Sequence, residues 1–393
     1  MHFARGSVGT RHTMASCSPF ADSLAALKRE RKRWAASSSS EVATPRLAVC
    51  LTGQLRLFMV GFPTLVRNLL LDAAANNRVD FFYVGPADLS HARGKSYLLK
   101  IPGLRATTIY DQRLLWRNWH NETPIAELLP GAAGGGGNKS RARRPVAQFN
   151  LNGLEACPGP LRSRLVQALQ SRECLRLIER AEATERVVAP GNRSASRRRY
   201  TAVLRARVDV ITLQPTAVPL PRIYAPRRVY GSLHDCPPGR LSAHDYLLHG
   251  SRDVMGLVLA ALDGVHPTTL ARSGCDVHAL AANQLSRELP EARCVVPTNH
   301  SPVASVRGSV SGGCYFLDQE HPPNDGEPQP RLRDLYERAD AVARECLGLR
   351  EKRDGRRPGV GPTCQPRGGW DGDFREDASP WDMATTASNR GAG

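Results

Sequence analysis

Two short runs of the chain combine residue types and spacings suited to holding a phosphorylated ligand. The first, Cys50-Leu-Thr-Gly-Gln-Leu-Arg56, places Gly53, Gln54 and Arg56 just past an apolar stretch that reads as a β-strand. In open α/β sheets, ligands bind beyond the carboxyl ends of the strands. A glycine there lets the backbone approach a phosphate or a base, and an adjacent Arg forms charge-assisted bonds to a diphosphate. The plain alternative is an ordinary strand-to-helix turn. The second run, Tyr200-Thr-Ala-Val-Leu-Arg-Ala-Arg-Val-Asp209, reads as a central strand with Arg205, Arg207 and Asp209 at alternate positions, hence on one face. Three charges on one side of an apolar strand are costly to bury without partners. They either form a structural Arg–Asp network or meet a charged ligand.

Other candidates carry less. Gly94-Lys95-Ser96 ends like a phosphate-binding loop, but the loop's first glycine falls at Leu89, whose side chain blocks the backbone cradle. HExxH, GxSxG and GxGxxG are absent from the sequence. The pairs His234-Asp235 and His244-Asp245 offer metal-ligand chemistry, but adjacent pairs of this kind are more often loop residues.

The elements that must position these runs follow from apolar periodicity. Leu47–Leu51 reads as a strand, Gly53 as a turn, Phe58–Leu71 as a helix and Val79–Val84 as a second buried strand. Together they form a βαβ unit and imply a parallel sheet. Leu161–Ala183 has the pattern of a long amphipathic helix. Tyr200–Leu213 reads as a central strand running into a Pro-rich loop, Tyr246–Leu248 and Cys294–Val296 as short strands, and Arg252–Leu262 and Asp276–Leu289 as helices. Residues 130–145, rich in Gly and Arg, read as an exposed insertion. Residues 1–45 are poor in acids and Ser-rich, and read as a disordered leader or transit-like segment. Residues 321–393 read as a mostly disordered tail with one helix at 332–347. The expected fold class is α/β: a Rossmann-type mixed sheet flanked by helices, in a single domain over residues 46–320.

Composition bounds the function. The 393 residues include 54 Lys+Arg against 37 Asp+Glu, a formal charge of +17. Only six of the basic residues are Lys and 48 are Arg, the mark of a GC-rich coding bias, which weakens the inference from high pI to nucleic-acid binding. The basic runs Lys28–Arg33, Arg141–Arg144 and Arg197–Arg199 lack interleaved aromatic residues and read as solvated linkers. No nucleic-acid partner is expected. The longest apolar stretch, Val254–Leu262, spans nine residues, whereas a membrane-crossing helix needs about 20. Ten widely spaced cysteines permit several disulfides or ten buried thiols. Four glycosylation sequons, at Asn121, Asn138, Asn192 and Asn299, tilt the reading towards a glycoprotein of the Golgi or another secretory lumen, with plastid and cytoplasm as alternatives.

The motifs, taken in order, resemble a glycosyltransferase-like family of algae and plants that opens with a C-L-[ST]-G-Q-x-R strand. Gln148-Phe149 precedes the long helix carrying Cys174 and Glu179, which leads into Tyr-x-x-x-x-Arg-x-Arg-x-Asp at Tyr200–Asp209. His244-Asp245 followed by Gly250-Ser-Arg-Asp-Val-Met255 is similar to the family's D…G-S-R-x-x-M segment, and Asp276 with Leu280 and Leu285 to its [DE]-x-x-L helix. The resemblance spans residues 46–318. It implies a fold similar to the GT-A nucleotide-diphospho-sugar transferases, a UDP- or GDP-sugar donor, and a glycan or glycoprotein acceptor. It implies Mn or Mg held at Asp209, but D-x-D is replaced by Arg207-Val208-Asp209, and a hard cation wants several oxygen ligands. Arg205, Arg207 or Arg56 then stabilises the leaving diphosphate instead. Asp245 is the candidate general base. Two other readings stay open: a non-catalytic GT-A-like domain that binds a glycan or nucleotide, and a basic nucleic-acid-binding protein.

Overall fold

Alternating, uninterrupted apolar runs build the centre of the molecule. The computed structural model describes residues 18–37, 45–55, 58–87, 89–110, 159–187, 199–212, 228–231, 247–260, 286–288, 293–295, 303–308 and 315–319, with positions 337 and 341 beyond them. Chain order is α1 (Ser18–Ser37), β1 (Arg46–Thr52), α2 (Phe58–Leu65), a π-helical turn (Val66–Leu70), α3 (Leu71–Asn76), β2 (Arg78–Pro86), α4 (Leu89–Leu98), β3 (Leu104–Tyr110), α5 (Gly159–Val187), β4 (Ala202–Arg207), β5 (Val210–Thr212), β6 (Arg228–Gly231), β7 (Leu247–Ser251), α6 (Arg252–Leu259), β8 (Arg293–Val295), β9 (Val303–Gly308) and β10 (Tyr315–Gln319).

Seven strands form a mixed sheet in the order β3-β2-β1-β4-β7-β6-β8, and β10-β9-β5 form a second, smaller sheet. β3, β2, β1 and β4 run parallel, β7 is antiparallel to both β4 and β6, and β8 returns parallel to β6. The expected βαβ unit is present, and the α/β class holds. β1 is buried along its whole length, as expected for a strand covered on both faces. Leu47, Val49 and Leu51 point into a core shared with α1, α2 and α3, while Ala48 and Cys50 point into one shared with α5 and α6.

Residues 58–75 are long and apolar enough to cross a membrane by length and composition, but 72% of that window is buried inside the fold. The run serves as a core helix. Its π turn carries Asn68, whose Nδ2 donates to the Thr212 carbonyl at 2.6 Å.

Three expectations are corrected. The leader reading fails for residues 18–37, which form α1; its Phe20, Leu24 and Leu27 are buried in the main core. The run Lys28–Arg33 therefore lies within a helix and is no linker. Its Arg31 turns inward to Asp80, at 3.2 Å. The single strand expected over Tyr200–Leu213 divides at Val208-Asp209, with β4 entering the large sheet and β5 the small one. The break has a tertiary cause. Val208 N closes the ladder on Thr52 O at 2.9 Å, after which Thr212 exchanges hydrogen bonds with Thr64 of α2 (3.1 and 2.8 Å). The predicted insertion at 130–145, all four sequons, the helix at Asp276–Leu289 apart from three helical positions, and the tail helix apart from positions 337 and 341 lie outside the described residues.

At the amino end of the sheet, a buried carboxylate gathers cations from four elements. Asp80, 0% exposed on β2, accepts from Arg46 Nη2 at 3.1 Å, Arg31 Nη1 at 3.2 Å and the Tyr200 hydroxyl at 3.2 Å. Arg105 Nε stands 3.2 Å away, and Glu185 of α5 accepts from both Arg46 and Arg105. Burial alone would push the Asp80 carboxyl up, but the charges of Arg105, Arg78 and Arg46 outweigh it and hold the group below its usual value. A depressed folded pKa contributes stability that is present above the unfolded value, about 3.9, and lost as pH falls through the folded one. Asp80→Asn is therefore expected to cost about 3–5 kcal/mol near neutrality. The variant should also lack part of the acid-side decline of the parent. Urea unfolding of both proteins from about pH 7 to about pH 3 checks this, and superimposable pH profiles would remove Asp80 from the network.

Candidate functional site

The large sheet grows in opposite directions from β1, with β2 and β3 on one side and β4 on the other. Such a switch point leaves a crevice outside the carboxyl ends of the two central strands. Both runs singled out in the sequence end there. β1 and β4 pair in register, Cys50 with Arg205 and Thr52 with Arg207.

Gly53 makes the turn that leaves β1. Its φ of +111° is strained for any residue with a side chain. Its N–H donates to Val84 O at 3.1 Å, and its carbonyl accepts from the Tyr83 hydroxyl at 2.8 Å. Tyr83 reaches that carbonyl by lying over Gly85, where a Cβ would stand 1.9 Å from the Tyr83 oxygen. The turn is thus fixed by β2 rather than left free, and Gln54 beyond it is exposed.

On β4, Arg205 is buried at 3% exposure, and by alternation it shares the α5-facing side with Arg207. Asp209 does not extend that row. It lies past the end of the strand, where its two oxygens accept from Arg207 Nε at 2.9 Å and Nη2 at 2.6 Å. The expected metal at Asp209 finds a poor fit. The carboxylate is already claimed by a guanidinium fork, and among the described residues no group of three His, Cys, Asp or Glu stands close enough to hold an ion. Arg56 and Asp245 lie outside the described residues, although β7 enters the sheet at Leu247, opposite Ala206 near the carboxyl end of β4.

No protein-family model and no curated protein matches this chain.

Of the other motifs, Gln148-Phe149, His244, Asp276, Leu280 and Leu285 lie outside the described residues, and Gly250–Met255 has a structural role at the other end of the sheet, where Ser251 pairs with Ala202. Ser251 caps α6 by accepting from Val254 N. Arg252 of α6, 6% exposed, donates to both oxygens of Glu182 at 3.2 Å, and Glu182 also accepts from Tyr200 N. Glu179 receives a longer bond from Arg252, at 3.4 Å, and Met255 is fully buried. Gly94-Lys95-Ser96 sits inside α4, so it is no phosphate loop.

Sequence reasoning missed the fastening of the site. Cys50 bonds Cys174 of α5, 124 residues away, and ties the strand beneath the crevice to the helix that covers it. Even cysteine spacing gave no hint of that partner. The Tyr83 clamp did leave a signal, in the pairing of Tyr83 with Gly85 at alternate strand positions.

Proposed function

We propose that the crevice at the carboxyl ends of β1 and β4 binds a nucleotide-diphospho-sugar, and that the chain is a glycosyltransferase of GT-A-like fold. The observation that carries this reading is the meeting of the Gly53 turn with the Arg205/Arg207 strand at the switch point. An acceptor hydroxyl, of a glycan or glycoprotein, attacks the anomeric carbon of a UDP- or GDP-sugar, and the diphosphate leaves with both bonding electrons. Arg207 and Arg205, together with Arg56 of the same sequence motif as Gly53, offset the charge that develops on it. Asp245, two residues before β7, takes the acceptor proton. The Cys50–Cys174 bridge supports the Golgi or another secretory lumen over plastid or cytoplasm.

A second reading, a GT-A-like domain that binds a nucleotide or glycan without catalysis, is favoured by the Arg207–Asp209 fork, which occupies the carboxylate where a metal would sit. One experiment addresses both. Melting of the full chain with UDP, GDP and their sugars should rise by several degrees at saturating ligand, since a ligand at a hundred times its Kd stabilises by about 2.7 kcal/mol. Release of free sugar from the bound donor then distinguishes transfer chemistry from binding. A melting temperature unmoved by any nucleotide would sink both readings.

A further inference from the structure

Buried polar atoms are nearly always hydrogen-bonded, so an exception at a functional crevice calls for a cause. Thr52, the last residue of β1, is 0% exposed, and its Oγ1 has no hydrogen-bond partner among the described residues. The backbone around it is satisfied, with Thr52 O accepting from Val208 N and Gly53 N donating to Val84 O. Alternation places the Thr52 side chain on the same side of the sheet as Cys50, and its register partner on β4 is Arg207. A hydroxyl able to donate thus stands beside a guanidinium at the end of the central strand, next to the Gly53 turn.

We propose that the Thr52 hydroxyl is a ligand-binding group that donates a hydrogen bond to a phosphate oxygen of the bound nucleoside diphosphate. The inference rests on the donor-binding reading above and names a residue of that site. Arg207 turns from the Asp209 carboxylate to the diphosphate as the ligand enters, which opens the way to the hydroxyl. Until then the hydroxyl is buried at a cost, because a desolvated donor without a partner destabilises the fold. The site therefore holds back stability that the ligand restores.

This assigns opposite signs to two measurements on one variant. Thr52→Val keeps the branched shape and removes the hydroxyl. Its melting temperature should match or exceed that of the parent, while its affinity for UDP or GDP falls by about ten- to a hundredfold, the worth of a hydrogen bond to a charged group. Inorganic pyrophosphate, titrated in parallel, should show the same ratio, because the lost contact is to phosphate. Thr52→Ser retains the hydroxyl and should keep most of the affinity. A lower melting temperature for Thr52→Val would overturn the proposal whatever its affinity, since the hydroxyl would then have a partner inside the folded protein. Equal affinity of Thr52→Val and parent would overturn it as well. A parent protein that binds none of the three ligands would instead overturn the donor-binding reading, and the Thr52 assignment with it.

Discussion

A chain that begins at Arg46 is expected not to fold cooperatively. Removing residues 1–45 takes away α1, whose Phe20, Leu24 and Leu27 are 3%, 7% and 2% exposed. The Phe20 ring packs on Phe58, Phe62 and Tyr97 at 5.7, 5.6 and 5.1 Å between centroids. Trp34 Nε1 donates to Ala74 O at 2.6 Å, and Arg31 donates to Val79 O and Asp80. Burying one large apolar side chain contributes about 1.5–3 kcal/mol. Three of them, with the Trp34 and Arg31 contacts, approach the whole net stability of an ordinary domain, about 5–15 kcal/mol. The deletion also leaves Phe58 and Phe62 facing water. Circular dichroism melts of the Arg46 start and of a Ser18 start separate the cases. The Ser18 start should melt cooperatively, and the Arg46 start should aggregate or melt without a transition. A cooperative Arg46 start with an unchanged melting temperature would place α1 outside the folded unit. Within the full chain, Leu27→Ala should cost about 2–5 kcal/mol.

Loss of the Cys50–Cys174 bridge is expected to cost about 5 kcal/mol, the chain-entropy value for a loop of this size. Both cysteines are 0% exposed, so a reductant should act on the native protein only as fast as it opens. The double variant Cys50→Ala, Cys174→Ala should therefore unfold at lower denaturant than the oxidised parent, and the parent should approach it slowly once dithiothreitol is added. Peptide mapping without reduction supplies the direct check. Two alkylatable thiols at these positions in the native protein would contradict the bridge and withdraw its support for a secretory compartment.

Much of the fold was legible because it is local. Leu47–Leu51 and Val79–Val84 are apolar runs of strand length, and the 3.6-residue spacing of α2 and α5 marks them as helices. Part of the site was legible for the same reason: Gly53 follows directly on an apolar strand, and its positive φ is what a glycine at that point permits. The Asp80 cluster was overlooked, although a lone Asp within Val79-Asp-Phe-Phe-Tyr83 is a signal in itself, since a buried carboxylate must have partners.

The sequence by itself determined that this protein is α/β, that β1, α2 and β2 form a parallel unit, and that a glycine turn closes β1. Those features depend on residues within one or two turns or strands of each other. Only the tertiary structure decided that β4 lies beside β1 and β7 runs against it, because strand order depends on pairings between segments far apart in the chain, Leu47 with Ala202 and Ala206 with Leu247. It alone drew α1 into the core: Phe20, Leu24 and Leu27 are too few to declare a core helix until α2 and the sheet present a matching surface. It also ended β4 at Arg207, where the local pattern runs on unbroken to Leu213. Asp209 turns back on Arg207, Thr212 is taken by Thr64 and Asn68, and β5 finds β9, so each bond that breaks the strand comes from a residue the local sequence does not contain or could not place.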